Sequence, residues 1–263
     1  MSNKPFVCFC VDGASDIQAL KLPFEDLFDD AYGNNINIDF RYAGAGESNK
    51  GDITSLNGVE PDNIEKYIYK HYFKKLDKNA DLGWADLSYL IHIIDLDGLY
   101  TNDDFIHTFD DCDKEYVKLI NDDKKVIYHS DHISVKNFPK DICDRNKRKR
   151  RNIEYLRDLT HITAGNKTVK YALYYFSTNL DHFLYNERNL AWYQKKKKAS
   201  EFVEDIIGGE EFLTFLKDTN CCEFDDYYQS WESLRRNNNS LKRGSNINIL
   251  VHEIKNNNIE HWL

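Results

Sequence analysis

The chain has 263 residues, 41% hydrophobic and 14% aromatic, which is enough to build a sizeable core and excludes global disorder. A formal charge of −9 and a mean hydropathy of −0.67 describe a very polar, acidic surface, which does not advertise nucleic-acid binding, although local basic runs remain available. No stretch approaches the roughly 20 apolar residues that span a bilayer, and Met1-Ser2-Asn3-Lys4-Pro5 leads straight into an apolar run rather than a signal peptide, so a cytoplasmic location is expected.

Phe6–Val11 is a short continuous apolar run, the pattern of a strand covered on both faces in a parallel sheet. Cys8 and Cys10, two apart, are expected on one of those faces as small hydrophobes. None of the six cysteines shows CxxC spacing, which argues against zinc and for a reducing compartment. Residues 16–32 carry apolar side chains at helical spacing, with Pro23 expected to split the helix in two. Residues 36–43 alternate as a second strand and run into a glycine-rich loop, 44–51. Pro61 opens a helix through Phe73. Residues 87–94 form a third strand. This β-α-β-α-β order predicts a parallel sheet with right-handed crossovers. Farther on, 116–120 reads as helix, 125–129 as a short strand, 152–162 as helix and 169–176 as a strongly apolar strand. The remainder reads as helical over 184–193, 200–216 and 224–234, with a loop at 237–239. The expected class is α/β, a mainly parallel sheet flanked by helices in a core of residues 1–185, with a mostly helical extension, 186–263, packed on it.

Two acidic clusters stand where apolar strands run out: Asp12-Gly13-Ala14-Ser15-Asp16 and Asp95-Leu96-Asp97-Gly98. Ligands of open α/β sheets bind at the carboxyl ends of such strands. Carboxylates gathered there repel one another unless a cation sits among them, and oxygen donors suit Mg²⁺ or Mn²⁺. Such ions activate water and offset charge on a leaving oxygen in phosphodiester chemistry. Asp95 and Asp97 face the same side if the strand geometry continues. Asp16 falls at a helix N-terminus, where capping and the dipole favour a carboxylate. Asp12, Asp16, Asp95 and Asp97 therefore form the expected metal set. Asp12, Asp95 and Asp97 are the catalytic candidates, Asp12 as proton handler. An EF-hand loop matches poorly, because Tyr100 stands where that loop needs glycine.

Val11-Asp12-Gly13-Ala14-Ser15-Asp16 and Ile94-Asp95-Leu96-Asp97 together resemble the Toprim domain, particularly its versions in OLD-family and RloB-like bacterial defence nucleases. Those proteins carry an acidic residue after the first strand and Asp-x-Asp after the third. The loop 44–51 falls where they have a glycine-containing turn, and Tyr175-Phe176-Ser177-Thr178-Asn179-Leu180-Asp181-His182 resembles their later strand-end segment. The likeness covers residues 5–185. It implies a Toprim-like sheet, Mg²⁺- or Mn²⁺-dependent cleavage of DNA or RNA, and a role in phage defence; no membrane association is expected, from the lack of a long apolar stretch. It leaves open a partner subunit of a defence system or a homodimer. The family has Glu where this chain has Asp12, whose carboxylate sits one methylene further back.

Around this set, Arg41 and Lys50 near the end of the second strand are candidate phosphate contacts. Ser177, Asp181 and His182 are further candidates for touching phosphate or supporting the ligands. The run Lys147-Arg148-Lys149-Arg150-Arg151 reads equally as a phosphate grip or as a solvated loop and helix start. Residues 195–198 read as an exposed helix face or linker. His92 and the run Tyr171, Tyr174, Tyr175 and Phe176 read as core. Two other functions compete. A haloacid dehalogenase-like phosphatase with Asp95 as nucleophile fits Asp95-Leu96-Asp97-Gly98, but Leu99 replaces its usual Thr and Asp12 and Asp16 stay unexplained. A non-catalytic metal-binding sensor or partner subunit is the third.

Overall fold

Residues 4–43, 52–74, 82–206, 208–222 and 224–256 are described by the computed structural model; Lys50 and the loop 44–51 lie outside them. The chain begins with strand β1 (Phe6–Val11), helix α1 (Ala14–Tyr32), β2 (Asn37–Tyr42), α2 (Ile64–Tyr72) and β3 (Leu87–Asp95). An insertion follows, made of β4 (Ile106–Thr108), α3 (Asp111–Leu119), β5 (Val126–Tyr128) and β6 (Ile133–Val135). Next come α4 (Pro139–Leu156), β7 (His161–Ala164) and β8 (Lys167–Phe176). The helices α5 (Leu180–Tyr185), α6 (Trp192–Asp205), α7 (Gly209–Asp218), α8 (Tyr227–Ser233) and α9 (Ile247–Lys255) complete the order.

The main sheet has five strands in the order β2-β1-β3-β8-β7. All pair in parallel except β7, which runs antiparallel to β8. The expected α/β class, a mainly parallel sheet flanked by helices, is what the chain adopts. From β1 the chain moves outward to β2, then returns past β1 to β3, so the strand order reverses between β1 and β3. Period-two alternation makes this possible: Val7, Phe9 and Val11 enter the core on the α1 side, while Phe6, Cys8 and Cys10 enter the one on the α2 side. On the first face, Leu20, Phe24, Leu27 and Phe28 of α1 recur at helical spacing and close over Phe9, whose ring stacks on Phe40 at 4.5 Å and lies 4.9 Å from Phe24. On the second, Ile64, Ile68 and Tyr72 of α2 cover Cys8, Cys10, Leu90 and Ile94.

Segments far along the chain finish the α1 face. Phe202 of α6, Phe212 and Leu216 of α7, and Ile247, Leu250, Val251 and Ile254 of α9 share one core with β1 and α1. No helix among the described residues is long and apolar enough to cross a membrane.

Several elements depart from their expected bounds. Pro23 does not split α1; its ring is buried, and the apolar stripe anchors the helix on both sides of it. The helix expected at 152–162 instead starts at Pro139, a residue suited to the first turn, and stops at Leu156. Residues 161–164 then pair with β8 through the two-residue turn Gly165-Asn166, with Gly165 at φ +61. The helix expected at 184–193 is cut by Asn186, which caps α5 in the left-handed conformation. That expected at 200–216 is interrupted before Gly209, whose N–H donates to Asp26 Oδ2 at 3.0 Å and ties α7 to α1.

Candidate metal centre

Asp12 and Asp95 stand at the carboxyl ends of the adjacent parallel strands β1 and β3, where the strand order reverses. They touch: the Asp95 N–H donates to Asp12 Oδ2 at 3.0 Å. The other oxygen of Asp12, Oδ1, is buried with no hydrogen-bond donor. Asp95 Oδ1 in turn accepts the N–H of Leu180, in the first turn of α5, at 2.8 Å. Asp16 sits in the first turn of α1, as its spacing suggested, and accepts the Gly13 N–H on Oδ2 at 2.9 Å. Each carboxylate is thus anchored by a backbone amide.

The electrostatics record the crowding. Burial, then the charges of Asp16, Asp12 and Asp97, hold the Asp95 carboxyl well above the usual carboxylate range. Burial and Asp52 do the same to Asp12, against the pull of Lys149. Asp16 is pushed up to about 6 by burial, with Asp181 adding to the effect and Lys195 opposing it. Negative charge here is under-compensated, the condition under which a cation binds.

Asp97 has a different environment. Strand geometry ends at Asp95, and Asp97 adopts φ +55, so it does not continue the alternation that would place it beside Asp95. Its N–H donates to the Thr178 carbonyl at 2.7 Å, Oδ1 accepts the Tyr128 hydroxyl at 3.1 Å, and Oδ2 accepts Lys149 Nζ at 2.9 Å. Lys149 also pairs with Asp52 Oδ2 at 2.8 Å and donates to the backbone carbonyl of Asp95. Burial alone would lower the Lys149 pKa, but Asp52, Asp97 and Asp12 outweigh it and raise it. Burial alone would raise that of Asp52, and Lys149 overcomes this to lower it.

The remaining candidates divide by what they touch. Asp181 is buried and pairs with Lys195 Nζ at 2.6 Å; Asp181, Asp95 and Asp16 outweigh burial and raise the Lys195 pKa. Arg41 is not a phosphate contact: it is 3% exposed, bonded to Asp39 at 2.8 Å and to the Leu82 carbonyl at 2.7 Å, and lies over the Phe73 ring. Ser177 is likewise structural, donating to the Gly244 carbonyl at 2.8 Å. His182 is buried beside the Thr178 hydroxyl, and burial with Arg188 and Arg243 nearby pushes it down to about 3, so it stays neutral. His92 is the satisfied core residue its strand position suggested, between the Tyr72 and Tyr171 hydroxyls, pushed down to about 4 by burial.

Asp52, Lys149 and Tyr128 were not legible as site residues. The basic run lies within α4, and its members part ways: Lys147 pairs with Asp103 and Arg151 with Glu60, whereas Lys149 is fully buried. A signal was present. Asn146, Lys149, Ile153 and Leu156 share one helical face, and the two apolar members mark that face as inward.

No group of three or more Asp, Glu, His or Cys side chains among the described residues is arranged to hold a metal ion. The donors nevertheless suit a hard cation bound by few protein ligands. Mg²⁺ commonly takes one or two carboxylates and completes its shell with water and substrate phosphate. Asp12 and Asp95 supply that pair, with an orphaned oxygen on Asp12. Comparison with protein-family models, with curated proteins and with solved structures finds no match.

Proposed function

We propose that the chain is a Mg²⁺- or Mn²⁺-dependent nuclease that cleaves phosphodiester bonds in DNA or RNA. One observation carries the reading: at the carboxyl ends of adjacent parallel strands the Asp12 carboxylate accepts the backbone N–H of Asp95 and keeps one buried oxygen unpartnered, with the Asp95 carboxylate close enough to feel its charge. When bound, the cation would lower the pKa of a water and offset charge on the leaving oxygen. Asp12 and Asp95 would hold it, with Asp16 beside them. Asp12, whose proton affinity is raised by burial and by Asp52, is the candidate proton acceptor. Lys195, partly exposed beside Asp181, would meet an incoming phosphate. Lys149 and Tyr128 hold Asp97 in place. A place in antiviral defence, with or without a partner subunit, rests on the Toprim likeness alone.

The test is incubation with supercoiled plasmid and with single-stranded RNA in Mn²⁺. Cleavage that disappears in the near-isosteric Asp95→Asn variant is the expected result. Turnover of a chromogenic phosphomonoester without cleavage would instead favour the phosphatase, in which Asp12 has no work to do. A Mn²⁺-induced rise in unfolding temperature with neither activity would favour the sensor.

A further inference from the structure

We propose that this site takes one divalent cation rather than two, because the ammonium of Lys149 already stands in the second cation position. The inference rests on the cation-dependent reading above and narrows it. Lys149 has no exposed surface. Its Nζ meets oxygens from separate parts of the chain: Asp52 Oδ2 at 2.8 Å from the segment after β2, Asp97 Oδ2 at 2.9 Å from the turn after β3, and the Asp95 carbonyl at the end of β3. Of the three N–H donors of an ammonium, two go to the Asp95 carbonyl and Asp97 Oδ2, while Asp52 Oδ2 closes on the same charge as an ion pair. Two carboxylates and a carbonyl are also the hard oxygen set that a second Mg²⁺ would require.

Asp95 links the two positions. Its backbone oxygen accepts from Lys149, its backbone N–H donates to Asp12 Oδ2, and its carboxylate, which accepts the Leu180 N–H, feels the charges of Asp16 and Asp12. Two-metal phosphodiester sites place their ions roughly 3.5–4 Å apart, joined by shared ligands; here Asp95 plays the shared part, between the Asp12 carboxylate and the Lys149 ammonium. The lysine is fixed from both sides. One turn farther along α4, Asn152 Nδ2 donates to the carbonyls of Thr54 at 2.8 Å and Val59 at 2.9 Å, clamping the helix to the segment that carries Asp52. Arg150 donates to the Leu99 carbonyl at 3.0 Å, clamping it to the turn that carries Asp97. Withdrawing Lys149 would take from Asp52 and Asp97 the ammonium they share and leave Arg145 as the nearby positive charge, a costly state. Lys149 is therefore a positioning residue: it neutralises the second half of the acidic cluster and offers no coordination site to substrate or water.

Calorimetric titration of the full chain with Mn²⁺, paired with frozen-solution electron paramagnetic resonance, tests this without relying on activity. One ion per chain and the signal of an isolated Mn²⁺ are expected. Two ions per chain with an exchange-coupled signal would overturn the stand-in role of Lys149 while leaving the cation-dependent reading intact; no binding would overturn both. A folded Lys149→Met variant is expected to bind two ions, and one that still binds a single ion overturns the proposal. Should that variant not fold, the stoichiometry of the unaltered chain decides.

Discussion

Asp16 shows at the residue scale how burial turns a carboxylate into a pH-dependent liability. With its pKa pushed from 3.8 to about 6, the folded chain keeps a proton that the unfolded chain has already released in that interval. Its stabilising contribution is thus full below about pH 4 and is lost as pH rises through about 6. Asp12 and Asp95 are shifted in the same direction. Metal-free protein is expected to lose stability across this window, and Asp16→Asn to flatten the slope. At pH 7 the substitution should add about 1–2 kcal/mol, less than the full equivalent of the shift because solvent partly screens the group. Urea denaturation in EDTA from pH 4 to 7 measures this; an unaltered slope would mean that Asp16 is not the group responsible. The turn after β3 is the other residue-scale device. Asp97 and Gly98 both have positive φ, and at Gly98 a Cβ would fall 2.5 Å from Leu241 Cδ2, so the turn that holds Asp97 is packed as well as bent.

At the element scale, β1 organises the fold because its two faces serve different helices. Phe9 is the central side chain of the α1 face, touching Phe24, Phe28 and Phe40. Phe9→Ala should cost about 3–5 kcal/mol through lost transfer energy and the cavity left behind. Chemical denaturation reads this directly, and a loss below about 1 kcal/mol would mean that the face collapses to refill the space. The carboxyl end of the same strand carries Asp12, so packing and chemistry are coupled: a β1 that shifts in register moves the Asp12 carboxylate away from the Asp95 amide. Helix α4 acts in a complementary way, with Ile153 and Leu156 buried and Lys149 carried on the same side.

At the scale of the whole molecule, the helices after residue 185 are part of the core rather than an outer layer. Phe202, Phe212 and Leu216, together with Ile247, Leu250, Val251 and Ile254, bury the outer side of α1, and Tyr174 of β8 donates to Glu253 of α9 at 2.8 Å. A chain ended after residue 185 would expose that apolar face to water. It is expected to lack a cooperative thermal transition and to bind a hydrophobic dye. A sharp two-state transition in that shortened chain would show the later helices to be dispensable. The small sheet β4-β6-β5 reaches the site too, since Tyr128 of β5 bonds Asp97 and is itself held by Asn189 through both its backbone N–H and its carbonyl.

Local pattern alone determined the strands β1, β3 and β8, the helical stretch of α1, the α/β class, and the placing of Asp12 and Asp95 at strand ends. Each depends on periodicity within one segment or on the rule that ligand sites gather at carboxyl ends of parallel strands. The hairpin at Gly165-Asn166 was also written locally, although the helix pattern running into it obscured it. Tertiary structure alone decided which charges meet. Asp12 and Asp95 are 83 positions apart, and Asp97 and Lys149 are 52 apart. Within the Lys147–Arg151 run itself nothing separates the buried ammonium from its neighbours; only the helical phase set by Ile153 and Leu156, outside the run, marks Lys149 as inward. Burial then selects one lysine of that run, and the same burial raises the cost of every carboxylate it leaves without a partner.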